Sequence, residues 1–310
     1  MRKRIISISV GLILFHCLML GIYYFVTKGL VYYDRAIYEK FDLLFKDNSA
    51  QDIVILGSSR TYYGVNPLLL EQLSGKTVVN MGLEGAKLNE MELALKAYLF
   101  VHPKPQKLFL MLDPHSFDYK ESSIYNKIYM AHYFDNDSLY FNFKKISGKK
   151  AIVWKWLPYS LVSEFDDYTR LKAVKGLFTK KKPDVNVFNY KGFCLLKRQF
   201  VPTELDFDVS KIDLKTGEIQ LCRILDLCTS NSIEVSIIQG PFLATYYDRN
   251  KIDEFYRKID NSISEKFKAV EMQDFSLNYE SIEYFKDETH LNDLGSTRYT
   301  KDLFTTFIKK

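Results

Sequence analysis

The sequence predicts a three-layer α/β fold built on a five-stranded parallel sheet. Short apolar runs rich in β-branched residues alternate with helical patterns along the chain, and such runs are typical of strands buried on both faces of a parallel sheet. Each parallel crossover must cover one face of the sheet, so helices are expected on both faces. The predicted strands are Ile53–Leu56, Lys76–Asn80, Lys107–Leu112, Glu234–Ile238 and Ala269–Phe275.

The intervening helices carry start and stop signals. Asn66 is a suitable cap for a helix whose first residue is Pro67, and Ser74-Gly75 ends it. Further helices are predicted over residues 89–101, 215–229 and 249–267, and a last one runs to the C-terminus from a cap at Asn292 or Asp293.

The N-terminus predicts a membrane segment. Met1–Arg4 is basic, and Ile5–Val26 contains no charged side chain. As a helix this stretch is roughly 33 Å long, enough to span a bilayer core. Aromatic residues 23–25 stand where a cleavage site would be, which favours an uncleaved anchor over a signal peptide. The positive-inside rule then leaves the N-terminus in the cytoplasm and makes the chain from about Thr27 onward extracytoplasmic, in the periplasm or at the cell surface.

Three regions are predicted from these patterns. Residues 1–29 form the cytoplasmic tip and anchor, residues 30–50 a juxtamembrane helix or stalk, and residues 51–310 an α/β domain interrupted by an insertion at about 116–210. The insertion is either a helical segment that packs its aromatic residues inward, which is favoured, or a cap that shapes a groove for sugar rings and anionic polymers or lipid headgroups. The lysines that suggest the second possibility are Lys144, Lys145, Lys149, Lys150, Lys155, Lys180, Lys181 and Lys182.

Composition bounds the function classes. The 310 residues are 47% hydrophobic and 26% charged, as in globular proteins, and the net charge of +5 is too small to indicate a nucleic-acid partner. Cys17 lies in the membrane segment, and the other three cysteines lack metal-type spacing. We therefore expect no metal, no cofactor and no essential disulfide.

A serine and a histidine are the candidates for chemistry. Ser58 and Ser59 follow the first strand at its carboxyl end, where open α/β sheets bind ligands. A serine becomes nucleophilic only with a base and an acid that orients the base. His115 and His290 occupy similar positions, but only His290 has a suitably placed acid, Asp287. The alternative is that Asp287 only caps its loop and His290 is an ordinary loop histidine.

The second strand leads into a glycine-containing turn, Asn80-Met-Gly-Leu-Glu-Gly-Ala86. Glycines directly after a buried strand let backbone N–H groups approach a ligand, as an oxyanion hole requires. The alternative is a turn that simply needs positive φ angles. A dinucleotide fingerprint is excluded, because the turn follows the second strand and lacks the full Gly-x-Gly-x-x-Gly pattern.

Three motifs together, Leu56-Gly-Ser-Ser59, Asn80-x-Gly-x-x-Gly85 and Asp287-x-x-His290, resemble those of the SGNH (GDSL-type) hydrolase superfamily. The resemblance covers residues 51–113 and 211–310, and it implies a flavodoxin-like sheet. The anchor and the insertion are most similar to the D-alanine transfer proteins of teichoic acid systems and to alginate-type O-acetylation proteins. Those proteins act on polymer acyl esters beside a membrane-bound acyltransferase.

The resemblance implies a role for each motif residue. Ser59 rather than Ser58 would be the nucleophile, His290 its base and Asp287 the residue that orients the base. The backbone N–H groups of Gly85 and Ser59 would donate to the oxyanion.

Ser58 and Asn80 are expected to support the oxyanion or substrate site. One departure from the family concerns the third strand, which ends in Asp113-Pro-His115-Ser where the family has a Gly-x-Asn-Asp block whose asparagine donates to the oxyanion. His115 is the candidate substitute donor.

The sequence therefore predicts a serine esterase or O-acyltransferase with a Ser-His-Asp triad, acting on acylated polysaccharide or another envelope ester. The altered third block favours an alternative, a weakly active or inactive accessory protein that binds glycan or a membrane-bound acyltransferase. A lipid-directed esterase is a third possibility, since the anchor holds the chain beside the bilayer.

Overall fold

A computed structural model describes residues 1–117, 124–179, 189–202, 209, 212–243 and 249–309. Its helices are α1 (Arg2–Tyr33), α2 (Arg35–Phe45), α3 (Ser59–Gly64), α4 (Pro67–Ser74), α5 (Leu88–Val101), α6 (Ile124–Ala131), α7 (Asp137–Ser147), α8 (Lys149–Trp156), α9 (Asp167–Thr179), α10 (Leu214–Ser230), α11 (Arg249–Ser264) and α12 (Asp293–Phe307). Its strands are β1 (Ile53–Leu56), β2 (Val78–Asn80), β3 (Lys107–Leu112), β4 (Asn189–Tyr190), β5 (Phe193–Cys194), β6 (Glu234–Gln239) and β7 (Glu271–Asp274).

The chain divides into two compact units. The helical unit comprises residues 1–41 and 127–185, and the sheet unit comprises residues 42–126 and 186–310. This division differs from the predicted one, in which the whole insertion belonged to the domain of residues 51–310. The difference has a packing cause, because α9, from within the insertion, packs directly on α1.

The five-stranded sheet confirms the predicted fold class. Its strands are all parallel and follow the order β2-β1-β3-β6-β7. In sequence terms this is the order 2-1-3-4-5, that of flavodoxin-like sheets, in which the chain reverses its direction of winding between β1 and β3. The crevice beyond the carboxyl ends of those two strands is the expected ligand position in such a sheet.

Helices cover both faces of this sheet. Alternate strand residues, among them Ile53, Ile55 and Phe109, join a core cluster with Leu70 of α4 and Leu303 of α12. The intervening strand residues point to the opposite face and are equally buried there, where α5 and α10 pack against each other. The burial of both residue sets explains the unbroken apolar runs in the sequence.

Two predicted helix caps are present. Asn66 Oδ1 accepts from Leu69 N at 3.2 Å, and α4 begins at Pro67. At the start of α12 the cap is Asn292 rather than Asp293, since Asn292 Oδ1 accepts from the backbone N–H groups of Leu294 and Gly295, each at 3.0 Å. Each bond satisfies a backbone N–H that has no partner inside its helix.

Helix α1 is long and apolar enough to cross a membrane or to act as a signal sequence. It runs past the predicted end of the anchor to Tyr33, and α2 begins at Arg35. Within the helical unit, Tyr38 and Phe41 of α2 are buried and pack against the ring of Tyr129. One face of α2 therefore packs within the helical unit, and the role of residues 30–50 as a stalk stays a prediction.

The described part of the predicted insertion is mostly helical, with α6, α7, α8 and α9. Most of its aromatic residues point inward, as in the favoured interpretation, including Tyr129, Tyr133, Phe134, Phe143 and Trp154. Residues 180–182, the last lysines of the alternative groove interpretation, lie outside the described residues, and that interpretation stays a prediction.

Candidate active site

The two serines lie on a tight turn from β1 into α3, a short helix that the sequence did not predict. Ser58 is the helix cap, since its Oγ accepts from Arg60 N at 3.3 Å, and Ser59 is the first helical residue. A Cβ on Gly57 would lie 1.9 Å from Thr61 Oγ1. Only glycine therefore allows the chain to turn this closely, and the turn presents Ser59 at the carboxyl end of β1.

Three predicted site residues form a continuous hydrogen-bonded chain. His290 Nε2 lies 2.9 Å from Ser59 Oγ. His290 Nδ1 lies 2.9 Å from both carboxylate oxygens of Asp287. With the proton on Nδ1 shared with Asp287, Nε2 is free to accept from the serine hydroxyl, which is the arrangement that general-base activation of a serine requires.

Asp287 both caps its own loop and holds the histidine. Its Oδ1 accepts from the backbone N–H groups of Thr289 and His290, each at 2.9 Å, and from Thr289 Oγ1 at 3.0 Å. Burial alone would raise the pKa of Asp287, but the hydrogen bonds and charge of His290 and these backbone donors outweigh it and hold the pKa below its usual value. The carboxylate therefore stays ionised at neutral pH.

The loop that carries His290 is fixed at both ends. Lys286 N donates to His290 O at 2.8 Å, and Phe285 pairs with Leu291 in an antiparallel bridge. Leu243 N, just beyond β6, donates to Glu288 O at 2.9 Å. These backbone bonds hold the imidazole in position before any substrate arrives.

Ser58 and Asp113 connect the ends of β1 and β3. Ser58 Oγ donates to Asp113 Oδ2 at 2.5 Å, and Asp113 Oδ1 accepts from Ser116 N at 3.2 Å. Both side chains are buried. The bond spans the point where the winding direction of the sheet reverses, so it fixes the floor of the crevice. Ser58 thus has a structural partner and is not the residue that contacts His290.

Asn80 holds the glycine turn against α3. Its Nδ2 donates to Thr61 O and Val65 O, each at 2.8 Å, and its Oδ1 accepts from Gly82 N at 2.8 Å. The side chain is fully buried, and both amide hydrogens are used. Asn80 therefore has no N–H left for an oxyanion, and its position supports the turn rather than the substrate. Gly82 fits because a Cβ there would lie 2.3 Å from Tyr62 N.

The two predicted oxyanion donors are backbone N–H groups, those of Ser59 and Gly85. Gly85 has a φ of 62°, so the turn alternative of the sequence analysis also applies at this position. Among the described residues, neither the N–H of Ser59 nor that of Gly85 donates a hydrogen bond. His115 lies in the 3₁₀ turn Pro114–Phe117 after β3, where its backbone carbonyl accepts from Lys87 Nζ at 2.9 Å. The roles of Gly85 and His115 toward an oxyanion stay predictions.

Tyr63 and Glu84 were missed by sequence reasoning. The Tyr63 ring lies perpendicular to the His290 ring at 5.3 Å, and its hydroxyl donates to Glu84 Oε1. Burial and the neighbouring carboxylate raise the pKa of Tyr63, which keeps the hydroxyl protonated. Tyr63 stands four residues after Ser59, and a prediction of α3 would have placed both on one helix face.

A short hairpin, β4–β5, also supports the turn and was not predicted. Its two turn residues, Lys191 and Gly192, have φ angles of 47° and 86°, as a type I′ turn requires. Asn80 N donates to Lys191 O at 2.9 Å, and a Cβ on Gly192 would lie 1.9 Å from Asn80 O. The hairpin thus packs its turn directly on the end of β2.

Comparison with known proteins yields no family model and no curated protein that matches this sequence. Among solved structures, the chain is similar to a protein described as a platelet activating factor from Streptococcus pneumonia, with 12% identity, a TM-score of 0.47 and coverage of 93% of this chain and 97% of that one. It is also similar to a lipolytic protein of the G-D-S-L family from Desulfitobacterium hafniense, with 14% identity, a TM-score of 0.39 and coverage of 82% and 97%. Likenesses this distant assign neither a family nor an activity to the chain.

Proposed function

We propose that the protein is a membrane-anchored, extracytoplasmic serine esterase or O-acyltransferase that acts on acyl esters of cell-envelope polysaccharide. The observation that supports the activity is the hydrogen-bonded chain from Asp287 through His290 to Ser59. The apolar α1 helix supports the location, and the motif resemblance supports the substrate class.

Each step uses a group already in place. His290 Nε2 takes the proton as Ser59 Oγ attacks the acyl carbonyl carbon, and Asp287 stabilises the resulting imidazolium. The N–H groups of Ser59 and Gly85 donate to the carbonyl oxygen as it gains negative charge. The bond between the carbonyl carbon and the alkoxide oxygen then breaks, and His290 protonates the departing alkoxide. The acyl group stays on Ser59 as an ester. Attack by water on this ester completes hydrolysis, and attack by a polysaccharide hydroxyl completes transfer; either releases Ser59.

An accessory role is the second candidate. Where the family has a Gly-x-Asn-Asp block, this chain has Asp113-Pro-His115-Ser, so the asparagine side chain is missing. Asp113, the first residue of this block, accepts a hydrogen bond from Ser58. The amide of Asn80 is fully used inside the fold. Fewer side-chain donors for the oxyanion favour slow turnover, and such a protein would serve by binding glycan or a membrane-bound acyltransferase.

A fluorophosphonate probe separates the two candidates, because it reacts only with an activated serine. We expect the full-length protein to be labelled, Ser59→Ala to lose the label and Ser58→Ala to keep it at Ser59. Unlabelled wild-type protein would instead support the accessory role. Labelling that persists in Ser59→Ala would show that another residue is the nucleophile.

A further inference from the structure

The helical unit exposes large apolar side chains at two neighbouring places in its sequence. They lie at the end of α8 and along α9, and we call them together the apolar patch. Trp156 is 72% exposed and Phe178 is 85% exposed. The members of the patch are Val153, Trp156, Leu157, Tyr168, Leu171, Val174 and Phe178.

On α9 the patch is a continuous stripe. Residues 168, 171, 174 and 178 recur at spacings of three and four, which places them on one face of the helix. Charged side chains accompany this face: Lys175 is exposed between Leu171 and Phe178, and Arg170 is paired at 3.1 Å with Asp167, whose side chain is 99% exposed. Exposed apolar side chains along a helix that packs on a membrane-spanning helix are expected to face lipid.

Helix α9 is locked onto the end of α1. A Cβ on Gly29 would lie 1.9 Å from Ala173 O, and one on Gly176 would lie 1.8 Å from Gly29 O. The two backbones are therefore in direct contact, as at close helix–helix interfaces built from small residues in membranes. A nearly buried ion pair between Lys172 and Asp34, at 3.2 Å, adds to this contact. The position of α1 along the bilayer normal therefore also fixes the position of α9.

A second contact with α1 indicates how deep the segment just after α8 lies in the bilayer. Tyr159, three residues after Trp156, has its hydroxyl 3.4 Å from His16 Nδ1. With Ile5 at the inner boundary of the hydrocarbon core, His16 lies roughly 17 Å further along α1. That distance is about half of a core that is ~30 Å thick. The segment around Trp156 and Tyr159 therefore lies near the middle of the hydrocarbon core, at the inner limit of the outer leaflet.

The same arithmetic places α9 at the membrane surface. Phe25 falls at the outer boundary of the core, and Gly29 lies about 6 Å beyond it. Since Ala173 and Gly176 contact Gly29, this part of α9 lies at the level of the lipid headgroups. Lys175, between these two residues, would there meet lipid phosphates.

We propose that the apolar patch is buried in the outer leaflet of the bilayer, so that the helical unit is embedded in the membrane and α1 is not its only membrane contact. The occupant of the patch is phospholipid, with acyl chains around the end of α8 and the headgroup region along α9. This placement requires that α1 remains as a membrane-spanning helix, and it does not depend on the serine chemistry.

The two tryptophans of the chain provide a matched test. Trp156 is in the patch, whereas Trp154 is 6% exposed and points into the helical unit. Full-length Trp154→Phe and Trp156→Phe proteins each retain a single tryptophan. Each is reconstituted into vesicles of phosphatidylcholine and phosphatidylglycerol in equal amounts, with or without bromine on the acyl chains. Mass spectrometry of the purified protein first confirms that α1 is retained.

We expect brominated lipid to remove most of the emission of Trp156 and much less of that of Trp154, with the Trp156 maximum shifted to shorter wavelength. Trp156 emission that is unaffected by bromine would overturn the placement. Quenching by aqueous acrylamide would then show that the patch is in water, and protection from acrylamide would show that protein covers it. Fluorophosphonate labelling of the same samples reports separately on Ser59.

Discussion

His290 Nε2 contacts Ser59 Oγ at 2.9 Å although the two residues are 231 positions apart in the chain. We expect His290→Ala to lower kcat/KM on an acetyl ester by about 10²- to 10⁴-fold, because the serine loses its general base. Ester hydrolysis and circular dichroism of the full-length protein in detergent check this expectation. A folded variant with undiminished turnover would show that His290 is not the base.

Asp287 should link stability to acidic pH. Its folded-state pKa is below the usual value, so the ionised carboxylate contributes stability that is fully present above the unfolded-state pKa of about 3.9. We expect Asp287→Asn to have a lower Tm than wild type near neutral pH, and the difference to shrink as the pH falls through the folded-state pKa. A difference that grows on acidification would contradict the assignment.

Ser58 and Asp113 should act as a unit. Removing the Ser58 hydroxyl leaves a buried carboxylate oxygen of Asp113 unpaired, which costs about 1–3 kcal/mol. The variants Ser58→Ala, Asp113→Ala and the double variant should give a coupling energy of about 0.5–3 kcal/mol in denaturant unfolding. Additive effects of the two substitutions would mean that the bond contributes nothing to stability.

Gly82 should tolerate no side chain. A Cβ at this position meets the backbone nitrogen of Tyr62 at 2.3 Å, so Gly82→Ala forces the turn away from α3 and should cost about 1–3 kcal/mol. Gly64→Ala is the matched control, because its Cβ would meet nothing closer than 3.8 Å. Thermal unfolding of both variants measures the difference, and equal Tm values would contradict the close approach.

Two substitutions of Tyr63 separate the contribution of its ring from that of its hydroxyl. Tyr63→Phe keeps the ring beside His290 and loses only the bond to Glu84, whereas Tyr63→Ala removes both. We expect the alanine variant to have the lower kcat, because the imidazole loses the aromatic surface that restricts its orientation. If the phenylalanine variant is equally slow, the hydroxyl bond is the important contact.

The sequence predicted the sheet well because buried parallel strands read as unbroken apolar runs. It also predicted the pairing of Asp287 with His290, since both lie in one short loop. Helix α3 was missed because its six residues, Ser59–Gly64, are too few to show a helical period. The partners of Asn80, Ser58 and Tyr63 come from other elements of the fold, so no local pattern could indicate them.

Strands β3 and β6 are neighbours in the sheet although residues 113–233 lie between them. The entropy of closing a loop rises only with the logarithm of its length, by about 0.6 kcal/mol per doubling, so this detour costs little stability. It does affect the folding rate, because strand pairs that are distant in sequence form slowly. Strands β1, β2 and β3 can pair early during synthesis, but the sheet stays incomplete until β6 and β7 have been synthesised. His290 is synthesised later still. A nascent or truncated chain would therefore carry Ser59 without its base.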